Sequence, residues 1–344
     1  MQRKMVNLLE LTKVVDLLGR FASRQQVDEA LRATGLTRAM LRKGAGFLPY
    51  ATEAVLIETV ARAIGDRHLG ARIGQAFEYA TYGAYAQYVL GAPDLATALD
   101  RGRRALFLTH PGSVVVMRQT ATHLVVGRNS RGLSVVGHRH LDEGALFVIG
   151  DVARHFLGKA WQPDWVEIPE ANAEDLAGLT QLAGVPIRTG TDMPAVAIRL
   201  SDLATRNPGA PSPDRTLSLE ELTALMGVAP AQNLRDEVMQ MLHLTGATIQ
   251  TPNEAAIARL MAITPRSLQR ALRALGTSFR ALRATYICAR AKELLLETNR
   301  PVAEIGRSLG YREPRSFRRA FRDWTGQSPA AFRATGALGT KGTP

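Results

Sequence analysis

The sequence predicts a multidomain protein in which an α+β region precedes an all-α region, and three observations carry that expectation. The first is charge. Residues 251–344 hold 17 Lys+Arg against 6 Asp+Glu, while residues 1–250 hold 26 against 25, so nearly all of the formal net charge of +12 sits in the last quarter of the chain. The second is period: up to about residue 200, β-branched runs alternate with helical patterns, whereas from about residue 254 the apolar residues recur at helical spacing. The third is Asn207-Pro208-Gly209-Ala210-Pro211-Ser212-Pro213, a proline-rich stretch that suits neither a helix nor a central strand. Residues 1–206 are therefore expected to form one domain, 207–216 a linker and 217–344 a second domain, each rich enough in apolar residues to bury its own core.

In order along the chain, helices are expected near 6–18, 24–33, 37–43, 50–64, 67–77 and 94–108. Strands follow at 113–118, 123–128 and 133–137, separated by Thr-Ala-Thr and Asn-Ser-Arg-Gly turns, which reads as a meander. A helix over 143–157, a strand at 165–168, a helix over 173–183 and a strand at 195–200 complete the α+β region.

The basic region carries the same helix–turn–helix design twice, over about 254–275 and 302–325. In the first copy Thr264 is a helix N-cap and Pro265 the first helical residue. In the second, Gly310 can take the left-handed conformation that ends one helix, and Pro314 can open the next without losing a needed N–H. Ala258 and Ala262 lie four apart, as Gly306 and Gly310 do, which permits a close helix crossing. Leu268 comes six residues after Ala262 and Phe317 seven after Gly310, so the second turn is expected to be one residue longer. Phe317, Phe321 and Trp324 mark an inward face, and Arg315, Arg318, Arg319 and Arg322 fall on the remaining arc. Arginine at helical spacing suits guanine and phosphate. Between the copies Phe279, Leu282, Tyr286, Ala289 and Leu294 trace a helical stripe that ends near Asn299-Arg300-Pro301, a rigid spacer.

Residues 231–334 resemble the DNA-binding domain of the AraC/XylS family of bacterial transcription regulators. The resemblance rests on Ser267-Leu268-Gln269-Arg270 with Gly276-Thr277-Ser278-Phe279 in the first copy. In the second it rests on Leu309-Gly310-Tyr311, Phe317-Arg318-Arg319-Ala320-Phe321, Trp324-Thr325-Gly326, Ser328-Pro329 and Phe332-Arg333. It implies that the second helix of each unit enters the major groove of double-stranded DNA. The residues expected there are Arg266, Ser267, Gln269 and Arg270, then Arg315, Ser316, Arg318, Arg319 and Arg322. Pro314 departs from the polar residue often found at its position in the family.

The earlier region has a weaker likeness, through Leu69-Gly70-Ala71-Arg72, Gly83 to Leu90 and Asp94 to Leu99, to the arabinose-binding-like N-terminal domain of one branch of that family. That likeness implies effector sensing and dimerisation. Tyr79, Tyr82, Tyr85 and Tyr88, four of the seven tyrosines, could line an effector cavity or serve as core or dimer packing.

Other chemistries find little support. The chain shows neither a P-loop nor a dinucleotide fingerprint. Gly306-Arg307-Ser308-Leu309-Gly310 spells a nucleophile elbow but follows a helix where that motif needs a strand. His138, His140 and His155 lack firm metal-site spacing, and the single Cys288 precludes an intramolecular disulfide. No eighteen-residue apolar run and no signal-peptide core occur, so a cytoplasmic protein is expected. The reading is a non-enzymatic, cofactor-free and metal-free regulator. Its expected partners are DNA, a small-molecule effector, a second copy in a homodimer and RNA polymerase, with no membrane. The alternative is an effector-independent regulator whose first domain only dimerises or contacts polymerase.

Overall fold

The structure is a computed structural model that describes residues 3–42, 46–129, 132–133, 135–169, 172–209, 216–227, 231–246 and 253–339. Packing divides the chain into two compact units, one of Met1–Pro230 with Leu260–Ala262 and the other of Ala231–Arg259 with Ile263–Pro344. That division falls later than the expected 206/217 boundary. The reason is the helix Leu219–Met226: a Ser218/Glu221 capping box starts it, and it packs against the helix Ala84–Leu90 with Leu222 fully buried in the first unit's core. Of the expected linker, residues 210–215 lie outside the described residues, while the Asn207 side chain donates to the carbonyls of Leu90 and Ala92.

The first unit is α+β. Two short strands, β1 (Met5–Asn7) and β2 (Phe47–Pro49), pair antiparallel, and each runs straight into a helix, Leu8–Phe21 and Tyr50–Ile64 respectively. The main sheet contains β3 (Val114–Gln119), β4 (His123–Asn129), β5 (Val166–Glu167), β6 (Ile187–Arg188) and β7 (Ala195–Arg199), in the order β3-β4-β7-β5-β6. The first two expected strands form and pair as a hairpin, Val114 opposite Asn129. The third does not. Leu133 has no regular structure and Val135–Gly137 form bend and turn, with Ser134 outside the described residues. β4 has its second edge filled by β7, His123 opposite Arg199, so no place beside it remains for a third meander strand.

The helix Leu69–Ala76 lies directly on the helix His138–Leu157. A Cβ on Gly70 would come within 2.2 Å of the His140 carbonyl oxygen, and one on Gly74 within 2.6 Å of the Gly144 carbonyl oxygen. Backbones approach this closely only over glycine. The Leu69-Gly70-Ala71-Arg72 stretch is thus a helix-crossing signature.

The second unit is helical throughout its described residues. The helix Leu234–Thr245 packs on the long helix Phe279–Glu297, which also meets the helices Val302–Ser308 and Pro329–Gly339. The buried positions of the long helix are Phe279, Leu282, Tyr286, Ile287, Ala291 and Leu295, whereas Ala289 is exposed and Leu294 only half-buried. A single stripe was expected. Because different neighbours cover the two halves of the rod, the apolar face turns along its length.

Candidate functional sites

Each helix–turn–helix closes with the same hydrogen bond. Ile263 N–H donates to the Ala258 carbonyl at 3.0 Å, and Tyr311 N–H to that of Gly306 at 3.0 Å. In both cases the residue just before the donor adopts the left-handed conformation, Ala262 with φ 50° and Gly310 with φ 89°. The helices are Glu254–Leu260 and Pro265–Ala274 in the first helix–turn–helix, Val302–Ser308 and Pro314–Thr325 in the second. Four residues join the first pair and five the second, the one-residue difference expected. Thr264 accepts from the Ser267 N–H at 3.1 Å, the expected N-cap, whereas Glu313 makes no side-chain cap.

On the second helix of the first helix–turn–helix, Leu268 and Leu272 are fully buried while Arg266, Gln269, Arg270 and Arg273 are exposed. Its counterpart in the second helix–turn–helix buries Phe317 and Phe321, half-buries Trp324 and exposes Arg315, Ser316, Arg318, Arg319 and Arg322. The aromatic set extends from Tyr311 through Phe317 and Phe321 to Phe332, with ring centroids 5.5 to 5.9 Å apart. A Cβ on Gly306 would stand 3.0 Å from the Phe317 side chain, which is the close crossing expected there.

The ion pairs among this unit's described residues, Arg290–Glu293 and Arg300–Glu304, leave every one of these recognition-face arginines free, Arg319 included despite Asp323 four residues on. Their charge is uncompensated locally and points to solvent. Two expected readers are less free. The Ser267 hydroxyl accepts from Thr264 at 3.0 Å, and Gln269 Nε2 donates to Glu254 at 3.1 Å. Arg273 and Arg312, which the sequence reading passed over, are exposed beside the same faces; continued i, i+3 spacing from Arg270 was the available signal for Arg273. Arg333 faces inward and donates to the carbonyls of Leu295 and Arg300, holding the end of the spacer helix.

The first unit contains a cavity of about 80 Å³, several times the roughly 10–15 Å³ that one water needs. Tyr79 and Tyr82, on a 3-10 turn, and Tyr85, on the following helix, line it. Tyr88 does not: its ring packs under the Arg101 guanidinium and its carbonyl accepts from the same residue. His110 and Arg128 line the cavity too. Arg128 Nη2 donates to the Leu141 carbonyl at 3.1 Å, and the guanidinium lies 4.8 Å over the Tyr50 ring. Glu10 pairs with His110 at 3.0 Å.

The paired strands assemble this cluster. Met5 N–H donates to the Pro111 carbonyl and Asn7 N–H to that of Thr109, which lays the first turn of the helix Leu8–Phe21, with Glu10, beside His110. β2 in turn delivers Tyr50 and Glu53 on the first turn of their helix. Burial pushes the Glu10 carboxyl up, yet His110 and Arg128 outweigh it and hold the group below its usual value. For Glu53 burial wins, reinforced by Glu10, and the carboxyl stays protonated well above its usual range. Burial likewise raises Tyr79 and Tyr82 and takes Tyr85 to about 12, so all three phenols remain neutral.

A family model described as the arabinose-binding N-terminal domain of AraC transcription regulators matches residues 25–207, more than half of the chain. The chain belongs to the AraC family of transcription regulators. A helix-turn-helix domain model matches residues 257–335, the part that contains the helices Pro265–Ala274 and Pro314–Thr325, and the protein is a DNA-binding transcription regulator. The chain is 36% identical over 131 residues to the HTH-type transcriptional regulator VqsM of Pseudomonas aeruginosa, a match over 38% of this chain and 39% of that one. It is 37% identical over 82 residues to the ornithine utilization regulator of the same species, 24% of each chain. To the arabinose operon regulatory protein of Escherichia coli it is 36% identical over 81 residues, 23% of this chain and 28% of that one. Each match thus spans two fifths or less of the curated relative. Among solved structures, that of the transcriptional regulator CdpR from Pseudomonas aeruginosa is similar over 90% of this chain and 97% of its own, at a TM-score of 0.39 and 20% identity. No helix among the described residues is long and apolar enough to cross a membrane.

Proposed function

We propose that the protein reads two neighbouring major-groove segments with the helices Pro265–Ala274 and Pro314–Thr325, and that a small effector bound in the tyrosine-lined cavity of the first unit alters that reading. The observation that carries the DNA half is the pair of arginine faces, exposed and free of ion pairs, on one helical unit. Arg266, Arg270, Arg315, Arg318 and Arg319 supply base-edge and phosphate contacts, and Arg322, nearer its helix end, contacts phosphate. Homodimerisation through the first unit raises the effective concentration of the second on paired sites. The effector acts by preferring one arrangement of the protein over another, since a ligand shifts only an equilibrium whose two states it binds differently.

The test is a binding titration of the full chain on a promoter fragment. Tight, strongly salt-dependent binding that an effector shifts supports the reading. Binding that no cavity ligand alters would leave a regulator whose first unit only dimerises or contacts RNA polymerase.

A further inference from the structure

The cavity itself says what class of molecule it suits. Its walls are Val89, Leu99, Val115, Val126, Ile149 and Val152, a surface for a hydrocarbon body. The charged side chains that line it, Arg103 and Arg128, are both cationic, and no carboxylate is among the lining residues. Glu10 and Glu53 line a separate, smaller cavity of about 40 Å³ on the other flank of Arg128 and Tyr82.

The phenols are already committed to one another and to the protein. Tyr79 and Tyr85 hydrogen-bond each other, Tyr85 Oη donates to the Gly102 carbonyl at 3.3 Å, and Tyr82 is hydrogen-bonded to Glu10. Of the Arg128 guanidinium, Nη1 lies 3.3 Å from His110 Nε2 and Nη2 donates to the Leu141 carbonyl. Arg128 is 9% exposed, and its Nε–H has no acceptor among the described residues. A buried, unpaired donor is unfavourable, the more so when charged, so an acceptor arriving there is strongly favoured. A polyol would instead bring several hydroxyls to walls that offer them no partners.

Resting on the sensing role proposed above, we infer that the cavity binds a compact monocarboxylate, its apolar body between Val89 and Val152 and its carboxylate on Arg128. Charge-assisted pairing to the guanidinium fixes the orientation, and the aliphatic walls limit the size.

Calorimetric titration of the full chain with benzoate, benzamide, benzylamine and L-arabinose tests this. Benzoate should bind at least about tenfold more tightly than its neutral and cationic isosteres, the arabinose should not bind, and Arg128→Gln should weaken benzoate by about 10- to 100-fold while leaving benzamide unchanged. Val152→Phe, which fills the cavity, should abolish benzoate binding. If Arg128→Gln fails to fold, the isostere series on the unaltered chain still decides. Equal binding of benzamide or benzylamine, or no binding by any of the four, overturns the assignment. DNA affinity measured alongside separates the two ideas. Benzoate binding that depends on Arg128 but leaves DNA affinity unchanged keeps the site and removes the effector role, whereas a neutral probe that binds and shifts DNA affinity keeps the effector role and removes the carboxylate.

Discussion

In the first helix–turn–helix the left-handed turn residue is Ala262, its following helix is capped by Thr264, and its core contact is Leu268. In the second the same positions are Gly310, the uncapped Glu313 and Phe317, set against Gly306. The two units reach one backbone geometry by different routes. The first tolerates a strained alanine because a hydroxyl cap and a proline specify the turn. The second dispenses with the cap, using two glycines and a chain of aromatic rings. Their outer faces differ as well: Gln269 is held by Glu254 in the first, and the second presents arginine at four positions. Equivalent substitutions in the two units should therefore have unequal effects.

The largest effect is expected at the helix crossing. Gly306→Val would drive two methyl groups into Phe317 and should destabilise the second helix–turn–helix by several kcal/mol, above the ~1–3 kcal/mol usual for overpacking, because the Cβ and ring of the fully buried Phe317 have no room to move away. Ala258→Gly, its counterpart, should cost only about 1 kcal/mol of helix propensity plus a small cavity. Thermal melts of the two variants would show whether the crossings differ as described.

On DNA, Arg270→Ala and Arg319→Ala should each cost about 1 to 3 kcal/mol on the cognate site and relax preference at particular base pairs. Arg322→Ala should weaken all sequences alike and lower the salt slope by about one unit. Equal losses on cognate and random duplexes for the first two would contradict base readout.

Caps should separate the units next. Thr264→Ala should cost about 1 kcal/mol, while Glu313→Ser should stabilise the second unit by a similar amount, since that helix start lacks a side-chain acceptor. The smallest expected difference is at the turn itself. Gly310→Ala should destabilise by about 1 kcal/mol, and Ala262→Gly should be neutral or slightly stabilising, the relief of φ 50° offsetting the greater freedom of glycine in the unfolded chain. A large loss from Ala262→Gly would mean that the alanine side chain, not the backbone, matters there.

Features set by local rules were legible in the sequence. Thr264, Pro265, Gly310 and Pro314 act within a few residues of themselves, and the turn lengths and helix starts of both units follow from them. Features set by partners distant in the chain were not. Leu133–Gly137 is β-branched enough for a strand, but β7, some sixty residues later, already occupies that edge of β4. Leu222 follows a proline-rich stretch and yet belongs to the first unit's core. Tyr85 and Tyr88 lie on one short helix, and only its packing decides that Tyr85 meets the cavity while Tyr88 meets Arg101. The group that gives the cavity its character, Arg128 with Glu10, His110, Tyr50 and Glu53, is drawn from separate stretches brought together by β1, β2 and β4. His110-Pro111-Gly112 reads locally as a turn, and nothing in its neighbourhood announces the carboxylate that pairs with it.

The helices Pro265–Ala274 and Pro314–Thr325 are carried by one helical unit, with the helix Phe279–Glu297 as the rod between them in the chain. Two recognition helices so joined reach the same face of DNA only at segments about one helical turn apart, roughly 34 Å or 10 bp. Footprinting and affinity measurements on a half-site with about half a turn (~5 bp) inserted between its two segments test this. Protection of both segments in the intact site, and loss of tight binding on insertion, is the expected result. Undiminished affinity after the insertion would contradict the two-reader account and leave a single functional helix–turn–helix.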